Sequence, residues 1–468
     1  MAVAAVPRLG PGAVYCEALH PLFEAHSDLI RVAEIEPSSF WVKTPGASGK
    51  IRSNRLELDR TAALPQAKLV HGVGYPVGGT VCDRHAHVGE QRRWAERLAA
   101  PWTSEHLSFN ESAVGAAGFL MPPQQSGAGV ALAAENIRAR AAALGDRPFA
   151  FETGVNYLAP QPGALADGDY FAAIAEEADC LILLDLHNLW TNERNGRQRV
   201  SDAVAALPAE RVCEIHLAGG MEKDGYWLDA HSGLVPPELM EMAADIVAAM
   251  PKLGAIIFEI SPQFLRGVES AAFLRQMEQL HLLWEKAGRK ASSQPKRGVW
   301  RDGADPSSYE EALVRALAGA PREGEDSGLA LYRTLIASFR NGALADLLPH
   351  TLRLLGLHLG VTGLESLLAD YRKASVPPLF PADEALAFAS WFAANGPEIA
   401  YAEDLLGLEA GIVRLISEGG GGALCFRHDP TLILSALEEG RPPSGLPEGD
   451  FRITLDLAAD GKTAFRSA

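Results

Sequence analysis

With 468 residues the chain is about three times the length of a typical domain, so two domains, or one barrel-sized domain and a smaller one, are expected. Apolar residues make up 47% and charged residues 22%, which suits a large buried core and excludes a disordered chain. Lys and Arg number 42 against 59 Asp and Glu, and the resulting net charge of −17 has the wrong sign for a protein that grips phosphates by counterion release; nucleic acid is excluded as the main ligand.

The chain starts MAVAAVPRLGPG, with neither a charged segment nor a long apolar run, and no later stretch reads as a membrane span. A soluble cytoplasmic protein without membrane association is expected. Eight short β-type runs follow, at 13–16, 31–36, 68–73, 102–108, 148–153, 180–185, 212–217 and 254–260, most ending in polar residues. Between them lie stretches of helical spacing, among them 128–144, 168–178 and 236–250, and a last one at 268–287. Eight βα units point to an α/β fold, a (β/α)8 TIM-type barrel over residues 1–290. Residues 291–308 are polar, basic and rich in Ser, Pro and Gly, as a linker is. Residues 309–468 form a smaller, mostly helical α+β domain, helical in pattern to 417. The GGGG run at 419–422 reads as a flexible connector, and short strands follow at ALCFRH, DFRITLDL and TAFRS, the last two joined by a turn at DGK.

Side chains that ligate metals fall at the carboxyl ends of the barrel strands, where such barrels carry their chemistry. They are His71, His106, Glu152, Asp185 with His187, His216 and Glu259, together with Asp229 and His231 in the loop after the seventh strand. Residues i and i+2 share a face of a strand, so Asp185 and His187 are expected to aim at one point, and Asp229 and His231 likewise if extended. Imidazoles and carboxylates without thiolates suit iron, manganese or zinc, and nine donors exceed the needs of one ion, so two or three are implied. Glu152 or Glu259 can bridge neighbouring ions, and Asn156, Asn188 and Asn192 stand ready as hydrogen-bonding supports or as plain turn residues.

Other features read as structural. Cys16, Cys82, Cys180, Cys213 and Cys425 have no CxxC spacing and are expected to be mostly buried small hydrophobes. His85 and His87 lie in a polar, Arg-rich stretch that suggests a solvated face, and His20, His26, His281, His350, His358 and His428 are isolated. HGVGYPVGG at 71–79 lacks the spacing of a phosphate loop, so Gly72 and Gly74 are expected to let the backbone pass close to the metal cluster.

The segments EIEPSSFW (34–41), HGVG (71–74), SEHLSF (104–109), FETGVNYL (151–158), LLDLHNL (183–189), EIHLAGG (214–220), DAHS (229–232) and FEISP (258–262) resemble, in order and spacing, the multinuclear non-haem iron-dependent oxidases, the family of the methanobactin-type oxazolone-forming enzyme. The resemblance implies a metal-bound (β/α)8 barrel holding two or three irons, with dioxygen as cosubstrate, that oxidises residues, chiefly cysteine, in ribosomally made precursor peptides. Carried over by position, the irons fall to His71, His106, Glu152, Asp185, His216, Asp229, His231 and Glu259, with His187 replacing an amide ligand, and Asp229, His231 and Glu259 are the expected catalytic positions. The chain departs from the family pattern at His187, at Gly220, where many members carry His, and at Thr153, where Asn is common. Residues 331–356 and 397–416 are similar to a family named for DNA binding that is encoded beside these oxidases and serves as their partner. The implied arrangement is a partner domain supplied in cis that grips the leader segment of the precursor peptide. A divalent-metal sugar isomerase, a trinuclear-zinc phosphodiesterase and a non-catalytic peptide-binding scaffold are the alternatives on the same barrel.

Overall fold

The computed structural model describes residues 6–43, 51–82, 86–145, 147–289, 303, 305–418, 422–457 and 463–467. His85, most of the expected 291–308 linker, the DGK turn and all but the last glycine of GGGG lie outside them. The described chain divides into two compact units, one comprising the chain up to Phe40 with Glu57–Leu331, the other Trp41–Leu56 with the chain from Tyr332 onward.

The first unit is a closed barrel of eight parallel strands, with helices between them. The strands are β1 (Gly10–Val14), β2 (Val32–Ile35), β3 (Ala67–Gly72), β4 (Thr103–His106), β5 (Phe149–Glu152), β6 (Leu181–Asp185), β7 (Val212–Ala218) and β8 (Ala255–Glu259). Each pairs with its sequence neighbours, and β8 closes on β1. Every expected run supplies one strand, because short runs of this kind, each followed by a helical stretch, bury both faces in a parallel sheet covered by helices. Val32, Leu69, Trp102, Leu181, Leu183 and Ile257 form an inner core, while Ile182, Leu184, Ile215 and Phe258 pack outward toward the helices.

Three short antiparallel hairpins leave the expected pattern: Trp41–Lys43 with Ile51–Ser53, Phe109–Ser112 with Gly115–Met121, and Met221–Lys223 with Tyr226–Leu228. Residues 309–331, assigned from the sequence to the second domain, pack in the first unit. The helix Pro306–Ala318 is tied there by the buried Glu310 carboxylate, which accepts from Thr80 N at 3.0 Å, and by the Tyr309 hydroxyl, which donates to Pro122 O. Asp326 then accepts from Ala159 N at 2.8 Å. Polarity had marked a linker, but long-range hydrogen bonds set the boundary.

The second unit is a helical bundle with a three-stranded antiparallel sheet, β9 (Gly422–Phe426), β10 (Phe451–Leu457) and β11 (Thr463–Ser467), in that order. Between β9 and β10 runs the helix Pro430–Glu438, which the strand reading missed; Asp429 caps it by accepting from Thr431 N. The core holds Leu344, Leu354, Tyr371, Phe388 and Leu405, and a buried pair, Arg340 and Glu384 at 2.8 Å. Against expectation, the 26-residue helix Pro349–Ala374 is apolar and long enough by composition to cross a membrane. It is broken at Gly360 (φ 69°, ψ 174°), so neither part reaches the ~20 residues that a hydrocarbon core requires.

The cysteines are all free; Cys180 and Cys213 are buried, Cys16 and Cys82 are partly so, and Cys425 is exposed, fewer buried than expected. His87 is also a correction: it is buried on the helix Ala86–Arg97, stacked on Tyr75.

Candidate metal centre

Parallel strands all end on one face of the barrel, so the last residues of β3 to β8 converge there. His71 Nε2 and His106 Nε2 lie 3.1 and 3.2 Å from the same atom, Glu152 Oε2. Their other nitrogens are held: His71 Nδ1 by Ser104 Oγ at 2.8 Å, His106 Nδ1 by the Gly72 carbonyl at 3.1 Å. An Nδ1–H given to a carbonyl turns the Nε2 lone pair of His106 toward the centre, the tautomer a metal needs. Gly72 matters here because a Cβ would collide with the Glu105 carboxylate behind it. The close approach expected for Gly72 is therefore to this carboxylate.

On the far side, His216 Nδ1 lies 3.0 Å from Glu259 Oε1 and its Nε2 lies 3.2 Å from Glu34 Oε2. His231 Nε2 sits between Asp229 Oδ1 at 3.0 Å and Glu259 Oε2 at 3.3 Å. Donor atoms within 4.8 Å of one another form four groups: His71, His106 and Glu152; Glu152, Asp185 and His216; Asp185, His231 and Glu259; and Glu34, His216 and Glu259. The buried atoms Glu152 Oε2, Asp185 Oδ2, His216 Nδ1, His231 Nε2 and Glu259 Oε2 have no hydrogen-bond partner among the described residues. Imidazoles and carboxylates crowded together in a buried site are what a cation satisfies in place of shared protons, so this donor set fits metal ions.

The supports are equally local. Asn188 Nδ2 donates to Glu152 Oε1 at 3.3 Å, and the Thr153 hydroxyl accepts from Asp185 N at 2.9 Å. Asn156 and Asn192 instead fasten the loop after β5, Asn156 N donating to Asn192 Oδ1 at 2.8 Å. The strand spacing argued for Asp185 and His187 does not hold: β6 ends at Asp185, which accepts from Asn188 N at 2.8 Å and so caps the helix Leu186–Arg194. His187 lies in the first turn of that helix and, like Asp229, joins none of the four groups; its Nδ1 is 2.9 Å from Asp229 Oδ1, and its Nε2 accepts from Trp227 Nε1. Asp229 and His231 do meet, although the backbone between them is not extended (His231 φ 48°).

A family model described as RiPP precursor modification enzyme MbnB/TglH/ChrH matches residues 20–272, more than half of the chain. The chain belongs to this family. Among curated relatives of the MbnB/TglH/ChrH barrel, a UPF0276 protein of Streptomyces avermitilis is 29% identical over 270 residues, 56% of this chain and 54% of that protein. A UPF0276 protein of Chromobacterium violaceum is 30% identical over 214 residues, 46% of this chain and 77% of that protein. The chain thus spans about half the length of the Streptomyces relative. Each of these similarities covers little more than half of this chain or less.

Sequence reasoning missed Glu34, at 3.2 Å from His216 and fully buried, and Glu214, which accepts from Trp102 Nε1 at 2.8 Å deeper in the barrel. The available signal was a carboxylate inside a strand, VAEI, that is buried on both faces, where an acid persists only if paired. Gly220 packs against Trp227 and His187, and a Cβ there would stand 2.7 Å from His187 Nε2.

The electrostatics follow from this crowding. Burial alone would depress His106, but the Glu152 and Glu105 carboxylates lift it to about 10. His216 and His231 are pushed well above the ordinary imidazole range despite burial, by Glu259 and Glu34 and by Asp229 and Glu259 respectively. Burial and the neighbouring Glu259 and Glu152 push Asp185 well above the usual carboxylate range. Groups whose folded values are raised contribute stability below their unfolded values and lose it as pH rises through the folded ones. The metal-free protein should therefore melt at progressively lower temperature between about pH 6.5 and 10. Ions must displace these protons, so protection by added ferrous ion should grow over the same range. Melting curves with and without metal check this; a metal-free protein whose stability rises through that window contradicts it.

Proposed function

We propose that the chain is an iron- and dioxygen-dependent enzyme that oxidises a cysteine residue of a ribosomally made precursor peptide, in the cytoplasm, with its recognition partner supplied in cis. The observation that carries the reading is the overlap of the donor groups. Glu152, Asp185, His216 and Glu259 each belong to two of them, so neighbouring ions can share carboxylates, as a cluster of two or three requires. His71, His106, Glu152, Asp185, His216, Asp229, His231 and Glu259 would hold these ions, with Glu34 as a further carboxylate. When bound, the irons supply one-electron chemistry and a place for dioxygen, the electron acceptor.

The chain's own residues prepare that chemistry. Ser104 and Gly72 hold the imidazoles of His71 and His106, and Asn188 holds the Glu152 carboxylate. His106, Asp229 and His231 keep 22%, 20% and 29% of their side chains exposed, so the centre is open to a peptide at these residues, and Glu259 touches His231 there. A soft thiolate is the donor class this site lacks: no cysteine joins the donor groups among the described residues. A cysteine of the peptide supplies it, which favours cysteine as the target.

For the second unit the proposed role is capture of the leader segment. In the sheet, β9 pairs with β10 alone among the described residues, leaving an edge to which an extended peptide can add. Co-expression with a short cysteine-bearing peptide, sought among the reading frames that flank this gene, followed by its mass and by oxygen uptake, tests the whole reading. Replacing the target cysteine by Ser should remove most of the mass change. Zinc as the only activating metal would return the barrel to isomerase or phosphodiesterase chemistry, and peptide binding without oxygen uptake would make it a scaffold.

A further inference from the structure

His187 is wholly buried beside the metal centre yet faces it through another residue. Its Nε2 lies 3.4 Å from Trp227 Nε1, and an indole N–H can only donate, so Nε2 accepts and the ring proton sits on Nδ1. That Nδ1–H points at Asp229 Oδ1, 2.9 Å away. Both ring nitrogens are therefore engaged, and no lone pair remains for an ion. Asp229 Oδ1 also lies 3.0 Å from His231 Nε2, so the atom that His187 holds is the one that meets the neighbouring donor.

The rest of the surroundings fix this arrangement rather than merely permit it. Trp227 is pinned to the helix carrying His187 by Asn195, whose side-chain oxygen accepts from Trp227 N at 2.9 Å and whose amide donates to Trp227 O at 2.8 Å. The Arg194 guanidinium lies 4.2 Å from the Trp227 ring centre and 4.8 Å from that of Trp190. Asp229 is held from its other side by the Tyr157 hydroxyl, which accepts from Asp229 N at 3.0 Å. The Asp229 to His231 segment needs such holding because His231 has a left-handed backbone (φ 48°), an unfavourable conformation for a residue with a side chain. Gly220 completes the fit: any side chain there would collide with the Trp227 indole and the Leu228 carbonyl, next to Asp229, and crowd His187 Nε2.

We propose that His187 is a positioning residue and not a ligand: protonated on Nδ1, it orients Asp229 for the metal centre, with Trp227 setting its tautomer and Gly220 leaving it room. The inference rests on the metal-centre reading above. It assigns to one helix, Leu186–Arg194, the task of anchoring the loop that supplies two of the proposed ligands.

Ferrous ion alone is the probe, added anaerobically to the full-length protein, with bound iron measured at equilibrium for the wild type and for His187→Ala, His187→Asn and Gly220→Ala. His187→Ala should weaken the most loosely held iron by about 10–100-fold, the usual cost of losing a group that orients a ligand. His187→Asn should bind close to wild type, because its amide nitrogen takes the place of Nδ1 and still donates to Asp229. Gly220→Ala should resemble His187→Ala, and the two changes together should be no worse than either alone. Wild-type affinity in His187→Ala or Gly220→Ala overturns the proposal. So does His187→Asn as weak as His187→Ala, or an iron-loaded crystal structure with the imidazole bonded to iron. Should His187→Ala fail to fold, Gly220→Ala and His187→Asn make the same comparison. A wild type that takes up no ferrous ion brings down the metal-centre reading itself, whereas loading that is equal in wild type and variants brings down only the role of His187.

Discussion

Exchanging Glu152 for Gln should leave the barrel folded and abolish turnover, with iron content falling by more than one ion per cluster. Glu152 Oε2 receives both His71 and His106, and the residue enters two of the four donor groups, so its charge serves two ions at once. Gln keeps the shape and the contact with Asn188 but removes the anionic oxygen. The loss in metal affinity should exceed the ~10–100-fold expected for a residue that only orients a ligand. Iron analysis and oxygen uptake on the purified variant decide the matter. Full activity in Glu152→Gln, or in a preparation stripped of metal, would sink the assignment of this centre to the reaction.

Removing the leader from the precursor should raise KM by about 10²-fold or more and change kcat little. A flexible peptide offers a barrel mouth few distinguishing contacts near the reacting residue, so selectivity needs a second grip on a distant segment. Once that segment is held, the remainder of the peptide meets the centre at high effective concentration, and losing the grip costs capture rather than chemistry. Steady-state kinetics with full-length and leaderless peptide test this. Equal kcat/KM for the two would leave the second unit with a stabilising role only. A fragment ending at residue 290 is a poor test, because residues 305–331 pack in the same unit as the barrel and Trp41–Leu56 belongs to the other.

Much of this architecture could be read from residue order. The eight barrel strands lie within a few residues of the expected runs, because a buried parallel strand needs a short, mostly apolar run followed by a crossover back to the same sheet. Most of the donor set was legible for the same reason: in a parallel barrel, the residue that ends a strand reaches the same face as every other strand end, so position along the chain predicts position in space. His106, Glu152, Asp185 and Glu259 end their strands, and His71 and His216 lie one and two residues before the ends of theirs.

Where a residue depended on a turn or on a partner far along the chain, order was insufficient. His187 was assigned a strand's alternation, but the Asp185 side chain captures Asn188 N and starts a helix, which turns the imidazole toward Asp229 and Trp227. Glu34 stands next to last in its strand, as His71 does in its own, so the strand-end rule covers it too, but only closure of the barrel brings it to His216, 182 positions away. The reach of the barrel-bearing unit to Leu331 rests on hydrogen bonds such as Thr80 N to Glu310, formed between segments whose local composition says nothing of each other. The sequence by itself therefore determined the barrel and the chemistry at its strand ends, since both follow from local periodicity. Tertiary structure alone decided which donors share an atom, which partners the two nitrogens of His187 meet, and where one unit ends, because those depend on directions in space that no local pattern encodes.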